Sequence, residues 1–205
     1  AMAAGVRIVS NLGAANPIAG AHRVRELAAE AGLTPPTVAV VMGDDLTETM
    51  SEAEIRALPL MDGAEVIDRT MRAANVYLGA APVAEAVATG ADVVLVGRTT
   101  DSALALGPLI HEYGWGDLDR LAAGTIAGHL LECGAQVSGA YFADPGKKDV
   151  PDLAHVGFPI AEVDADGGYV LLAEVPVSVQ AEVTRGLAHD GPAVVWFALP
   201  GDVLR

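Results

Sequence analysis

Val93-Val94-Leu95-Val96 is a run of four aliphatic residues ended by Gly97. A run this short, apolar at every position, fits a strand buried on both faces, the kind found inside parallel sheets. Gly97-Arg98-Thr99-Thr100-Asp101-Ser102 comes next. It sets a cation, two hydroxyls and a carboxylate directly ahead of a helical pattern that opens at Ser102. In open α/β sheets, ligands sit beyond the carboxyl ends of strands, beside helix N-termini. One stretch therefore points both to a fold class and to a wall of a binding site.

The segments upstream agree. Val6 to Ser10 reads as a first strand, and Asn16-Pro17 pairs a good N-cap with a residue suited to the first helical position. A helix is expected from there to about Ala31, stopped by Gly32. Thr37 to Met42 is a second buried strand, leading into Gly43-Asp44-Asp45. Ser51-Glu52-Ala53-Glu54 has capping-box spacing and opens a short helix that Pro59 ends. Helices are expected over 63–74 and from about Pro82 to Thr89, with Asn75-Val76-Tyr77-Leu78-Gly79 between them. After the central strand the pattern predicts a helix to about Tyr113, a Gly114-Trp115-Gly116 turn, and a long helix from Leu118 to Cys133 capped by Asp117. Strands alternating with helices predict a mostly parallel sheet flanked by helices.

The pattern changes near Val137. Asp144 to Asp149 is a polar loop, and Ile160–Val163 and Tyr169–Ala173 flank a turn-forming Asp164-Ala165-Asp166-Gly167-Gly168. Ala193 to Leu199 is a further apolar run. The expected organisation is an α/β core over 1–136 and a small β-rich C-terminal extension over 137–205.

Composition excludes several functions. The 205 residues are 52% hydrophobic and carry a net charge of −15. An acidic surface repels phosphate backbones and anionic lipid, so neither nucleic acid nor membrane is an expected partner. No apolar stretch is long enough to cross a bilayer. The single cysteine, Cys133, rules out an internal disulfide. With no leader pattern at the start, this fits a reducing, cytoplasmic setting.

Three groups of residues can carry chemistry. Arg98, Thr99 and Thr100, with backbone N–H groups beside them, suit a carboxylate or phosphate. Asp101 reads either as part of that site or as a helix cap. Asp44 and Asp45 end another strand, so one of them can face the same sheet edge as a general base or metal ligand, or serve as a turn residue. His129, Glu132 and Cys133 fall at i, i+3 and i+4 of the long helix and share a face. They read as base, orienting group and nucleophile, as metal ligands, or as an ordinary surface pair beside a small hydrophobe. Asn11, Asn16 and Asn75 sit at turns. No zinc-type spacing is present, and no metal site is assigned. G-x-G-x-x-G and G-x-x-x-x-G-K-[ST] are also missing, which argues against simple nucleotide binding. The cofactor is left open.

Several segments together resemble the acyclic terpene utilisation family. They are Ser10-Asn11-Leu12-Gly13-Ala14-Ala15-Asn16-Pro17, Val41-Met42-Gly43-Asp44-Asp45-Leu46, Asn75-Val76-Tyr77-Leu78-Gly79-Ala80, Gly97-Arg98-Thr99-Thr100-Asp101-Ser102, Gly128 to Gln136, and Gly157-Phe158-Pro159-Ile160-Ala161-Glu162. The order and wording of these segments carry the resemblance over roughly residues 7–170. It implies an α/β domain tied to the catabolism of branched or terpenoid acids, handled as coenzyme A thioesters in a lyase or hydratase step. Asn11, Asn16, Asn75 and Tyr77 then join Arg98, Thr99 and Thr100 as substrate-binding candidates, with Asp44, Asp101, His129, Glu132 and Cys133 as catalytic ones. Family members carry a further segment upstream of the first strand and a Lys-Pro and glycine-rich stretch after the hairpin. Here the chain starts almost at the strand and reads Leu171-Leu172-Ala173-Glu174-Val175-Pro176 in place of that stretch, so a fragment, a divergent short form or a form with an altered reading frame at its end is expected. The expected partner is a small carboxylate or acyl thioester, in a homo-oligomer built on unpaired sheet edges. The alternative is a non-catalytic ligand-binding or assembly module.

Overall fold

A computed structural model describes residues 5–14, 16–59, 70–137, 143–149 and 153–173, the last four of these by their backbone alone. The chain forms two compact units, Ala1–Glu112 and Tyr113–Arg205.

The first unit is an α/β layer structure. Strands β1 (Ile8–Ser10), β2 (Val38–Val41) and β3 (Val93–Val96) form a parallel sheet in the order β1-β3-β2. The apolar run therefore takes the central place, with Ile8 and Val38 both in register with Val93. All four of its side chains are buried. Val94 and Val96 face the core with Val83, Ala86 and Val87 of helix α3 (Ala80–Ala88) and Val41 of β2. Leu95 points to the opposite face, where its Cδ1 sits against Gly20 of helix α1 (Pro17–Glu30). The two crossovers thus cover the two sides of β3, which is why no polar residue interrupts the run.

The start and stop signals work through identifiable contacts. Asn16 caps α1 by accepting the Ala19 N–H at 2.9 Å, with Pro17 in the first turn. Ser51 and Glu54 complete both bonds of the capping box on helix α2 (Glu52–Arg56). Helix α3 begins at Ala80, two residues before Pro82. Proline is tolerated there because first-turn N–H groups have no helical acceptor. Helix α4 (Ala103–Tyr113) approaches α3 closely at Gly107, where an added Cβ would lie 2.6 Å from Val83. The helix expected over 63–74 lies mostly outside the described residues, and 70–74 have no regular structure. No helix among the described residues is long and apolar enough to cross a membrane.

The second unit contains helix α5 (Leu118–Glu132), capped by the Asp117 carboxylate on the Arg120 N–H, and a hairpin of β4 (Pro159–Val163) and β5 (Tyr169–Ala173). Asp164 shapes the hairpin turn by accepting the N–H groups of Asp166 and Gly168, and Gly167 takes φ +90°. Gly114-Trp115-Gly116 is more than a turn. Trp115 is buried, its ring stacks on Tyr113 at 5.4 Å, and its Nε1–H donates to the Ala165 carbonyl. The Tyr113 hydroxyl donates to the Val163 carbonyl at 2.7 Å. Two aromatic rings thus clamp the far end of the hairpin. The Ala193–Leu199 run lies outside the described residues.

Candidate functional site

Beyond the carboxyl ends of β2 and β3, three loops are tied together. Gly43, at φ +111°, turns the chain after β2 and places Asp44 against the end of β3. The Asp44 carboxylate is 4% exposed, and its Oδ2 accepts the Arg98 backbone N–H at 2.9 Å and the Asn75 amide at 3.1 Å. Its carbonyl accepts the Val76 N–H at 2.8 Å. The segment 75–78 continues across to the other loop: Leu78 N–H donates to Arg98, and Thr100 N–H and the Thr99 hydroxyl both donate to the Leu78 carbonyl. A chain segment without regular structure is so zippered between two strand ends.

Gly97 is required at this junction. A Cβ there would fall 2.0 Å from Asp44 Oδ1, and the next nearest atoms are the other two carboxylate atoms. Gly13 does a similar service for the loop after β1, because a Cβ would lie 2.7 Å from the Pro17 ring and 3.0 Å from the Val96 carbonyl. The glycines missing from the dinucleotide fingerprint are replaced by two others that bring loop backbone onto the sheet edge.

Two cavities open over these loops. The larger, about 600 Å³, is lined by Asn16, Asp44, Asp45, Asn75, Arg72 and Arg98 among others. The smaller, about 300 Å³, is lined by Asn11, Tyr77, Gly97, Arg98, Thr99 and Asp101. Arg98 and Ala14 belong to both. The Arg98 guanidinium lies 5.4 Å from the centre of the Tyr77 ring, a cation–π contact that holds the long side chain where the cavities meet. Volumes of this order suit small-molecule sites.

Two of the three acids around the larger cavity have other engagements. Asp45 caps a short 3₁₀ turn, Leu46–Glu48. Hydrogen bonds from the Thr47 hydroxyl and then the Thr47 N–H hold its carboxyl below the usual aspartate range. Asp44 is committed to Arg98 N–H and Asn75. No carboxylate among the described residues comes within ion-pair distance of Arg98 or Arg72, whereas Arg23, Arg56 and Arg120 all pair with acids.

Of the residues singled out in the sequence, Asn16, Asp44, Asn75 and Arg98 meet at one cavity, and Asn11, Tyr77, Arg98, Thr99 and Asp101 at the other. Thr99 is buried and bonded, while Thr100 is exposed and contributes its backbone. Asp101 is exposed, and its carboxylate accepts no hydrogen bond from the first turn of α4. That leaves the site reading of Asp101 standing and removes the cap. His129 and Glu132 are exposed on the last turn of α5 in the second unit. The exposed Cys133, the C-cap residue, has its Sγ 2.7 Å from Glu132 Oε1. Arg72 is not among the sequence candidates, because it falls inside the stretch 63–74 expected to be helical. The nearby Asn75, a turn residue, was the available signal that 70–74 are not helical.

A parallel sheet flanked by helices, with two cavities at the carboxyl ends of its strands, defines an open-sheet α/β protein. The family model described as acyclic terpene utilisation family protein AtuA matches residues 1–178, and the chain belongs to that family. No curated protein and no solved structure matches the chain.

Proposed function

We propose that the chain binds an organic carboxylate or its acyl thioester at this loop edge and acts on it in a lyase or hydratase type of step. The observation that carries this reading is the Arg98 guanidinium. It has no carboxylate partner, is braced on Tyr77, and sits at the join of two cavities. A guanidinium presents a planar fork that matches a carboxylate or phosphate in two parallel hydrogen bonds. Membership in a family named for acyclic terpene utilisation supports branched acids as the ligand class.

In this reading Asp44 holds the frame and Asp101 does the chemistry. Asp44 fixes the backbone on either side of Arg98, so the cation needs little reordering when ligand arrives. Asp101 is a carboxylate on the wall of the smaller cavity that no first-turn N–H occupies. A base beside an anchored acyl group is what proton abstraction or water addition requires.

The test is a thermal-shift screen of the purified chain against acyl-coenzyme A thioesters, free branched acids, nucleotides and divalent cations. A ligand that binds only the folded state at 100 times its Kd stabilises it by about 2.7 kcal/mol. A thioester or acid is expected to raise the melting temperature, and Arg98→Ala to abolish the rise. A shift that survives Arg98→Ala removes the arginine from the site, and no shift with any acid or thioester overturns the proposal.

A second reading, an assembly module, draws on one observation. Strand β1 lies at the edge of the sheet, and Val6, Ile8 and Leu12 on and beside it are exposed. Open apolar edges invite strand addition by a second copy. Sedimentation showing a monomer at high concentration counts against it, and dimers that Ile8→Lys dissolves support it.

A further inference from the structure

Arg72 adds something that one arginine does not explain. Arg72 and Arg98 line the same cavity, and neither has a carboxylate partner among the described residues. Among the other described cations Arg7 likewise lacks an acid partner, whereas five are engaged. Arg23, Arg56, Arg120 and Lys147 pair with acids, and Arg25 donates to the Pro36 carbonyl at 2.6 Å. Both side chains are exposed, so water can solvate them, and the two guanidinium forks on one cavity remain open to an anion.

The acids nearby sharpen the point. Asp44, Asp45 and Glu48 also line this cavity, so an incoming anion meets three carboxylates. A single charge on a single fork gains little against that field. These carboxylates repel a dianion more than a monoanion, so a second charge strengthens binding only where a second fork meets it, as Arg72 can beside Arg98.

Resting on the anion-site reading above, we infer that the ligand carries a dianionic end, a dicarboxylate or a phosphate ester, recognised jointly by Arg72 and Arg98. Arg98 is the anchor for any acid, and Arg72 selects for the second charge.

The experiment is isothermal titration of the full chain at low ionic strength with three probes: glutarate, inorganic phosphate, and pentanoate as the monoanion of equal carbon count. Glutarate or phosphate is expected to bind at least about tenfold more tightly than pentanoate, the size of one charge-assisted contact. Arg72→Gln should bring that ratio close to one, weakening pentanoate less than glutarate or phosphate. Arg98→Gln should weaken all three. Arg72 is exposed, and a circular-dichroism melt checks that its variant folds; Arg72→Lys, which keeps the charge but not the fork, should retain part of the preference. Glutarate binding without phosphate assigns a dicarboxylate, and the converse assigns a phosphate ester. A wild-type ratio near one, or a ratio unchanged in Arg72→Gln, overturns this inference and leaves the monoanion site intact. Failure of all three probes and of every acyl thioester overturns both.

Discussion

Asp44 and Gly97 should behave as one unit, and a double-mutant cycle tests it. Asp44→Ala removes the acceptor of two hydrogen bonds, one of them from a backbone N–H. A buried donor left without a partner costs about 1–3 kcal/mol, and the second bond adds to that, so about 2–4 kcal/mol is expected. Gly97→Ala should cost about the same for a linked reason. The three atoms nearest its Cβ would be carboxylate atoms of Asp44, at 2.0–2.9 Å. The backbone cannot yield easily, because Gly97 N–H is bonded to the Val41 carbonyl at 3.1 Å. The relief left is for the carboxylate to swing away, which gives up the same two hydrogen bonds. In the Asp44→Ala background the obstacle is gone. There Gly97→Ala should be neutral, or stabilising by the roughly 0.4–1 kcal/mol that alanine gains from a more restricted unfolded chain. Gly97 has no positive φ to oppose it. The double variant should therefore be about 2–4 kcal/mol more stable than the sum of the singles, far outside the additivity expected of independent sites. Urea unfolding followed by far-UV circular dichroism gives the four values. Equal costs of Gly97→Ala in the two backgrounds would refute the argument that the carboxylate fills the place of the missing side chain.

Stability should also fall with acid in a defined direction. Asp92 accepts the Thr37 hydroxyl and N–H, and Asp117 the Arg120 N–H, so both carboxyls are held below their ordinary value of 3.8. A lowered folded-state pKa contributes stability that is fully present above the unfolded value. It is lost as pH falls through the folded one. Melting temperatures measured downward from pH 5 should therefore drop, and Asp92→Asn should flatten the slope; an unchanged slope rejects the Thr37 contact as its source. Trp115→Ala should destabilise the second unit by about 3–5 kcal/mol, the usual cost of deleting a large buried ring. Hydrogen exchange should then accelerate in β4 and β5, and full protection there would show that the ring does not hold the hairpin. His129→Ala should leave the melting temperature unchanged, since the imidazole is exposed. If the His129–Glu132–Cys133 group transfers protons, the same variant abolishes turnover of whichever acyl thioester the screen finds, and full activity would make the group a surface feature.

What could be read from the chain in advance follows the range over which each signal acts. Val93–Val96 announced a doubly covered strand because its neighbours on both faces demand apolar side chains. Asn16-Pro17, Ser51–Glu54 and Asp117 announced helix starts because a cap bonds three residues away. Contacts between distant segments left weaker traces. Asp44 was visible as an acid at a strand end, yet its partners are 31 and 54 residues downstream, and no pattern in Gly43-Asp44-Asp45 says which acid turns inward. The answer lay in Gly97, whose missing side chain makes the room, and a lone glycine after a strand looks like any turn. Arg72 was hidden for the opposite reason: 63–74 reads as helical, while the Leu46 N–H bond to the Ala74 carbonyl and the Asp45–Asn75 bridge hold the end of that stretch against another loop. Trp115 between two glycines looked like a turn because its acceptor, the Ala165 carbonyl, is 50 residues away. The site thus sits where local preference is least informative, on loops fixed by long-range bonds. Asp44 is the residue through which those bonds run, so its first role is to set the position of Arg98. That ordering has a consequence: removing Asp44 should loosen every anion that Arg98 holds, whether or not the aspartate ever touches a proton.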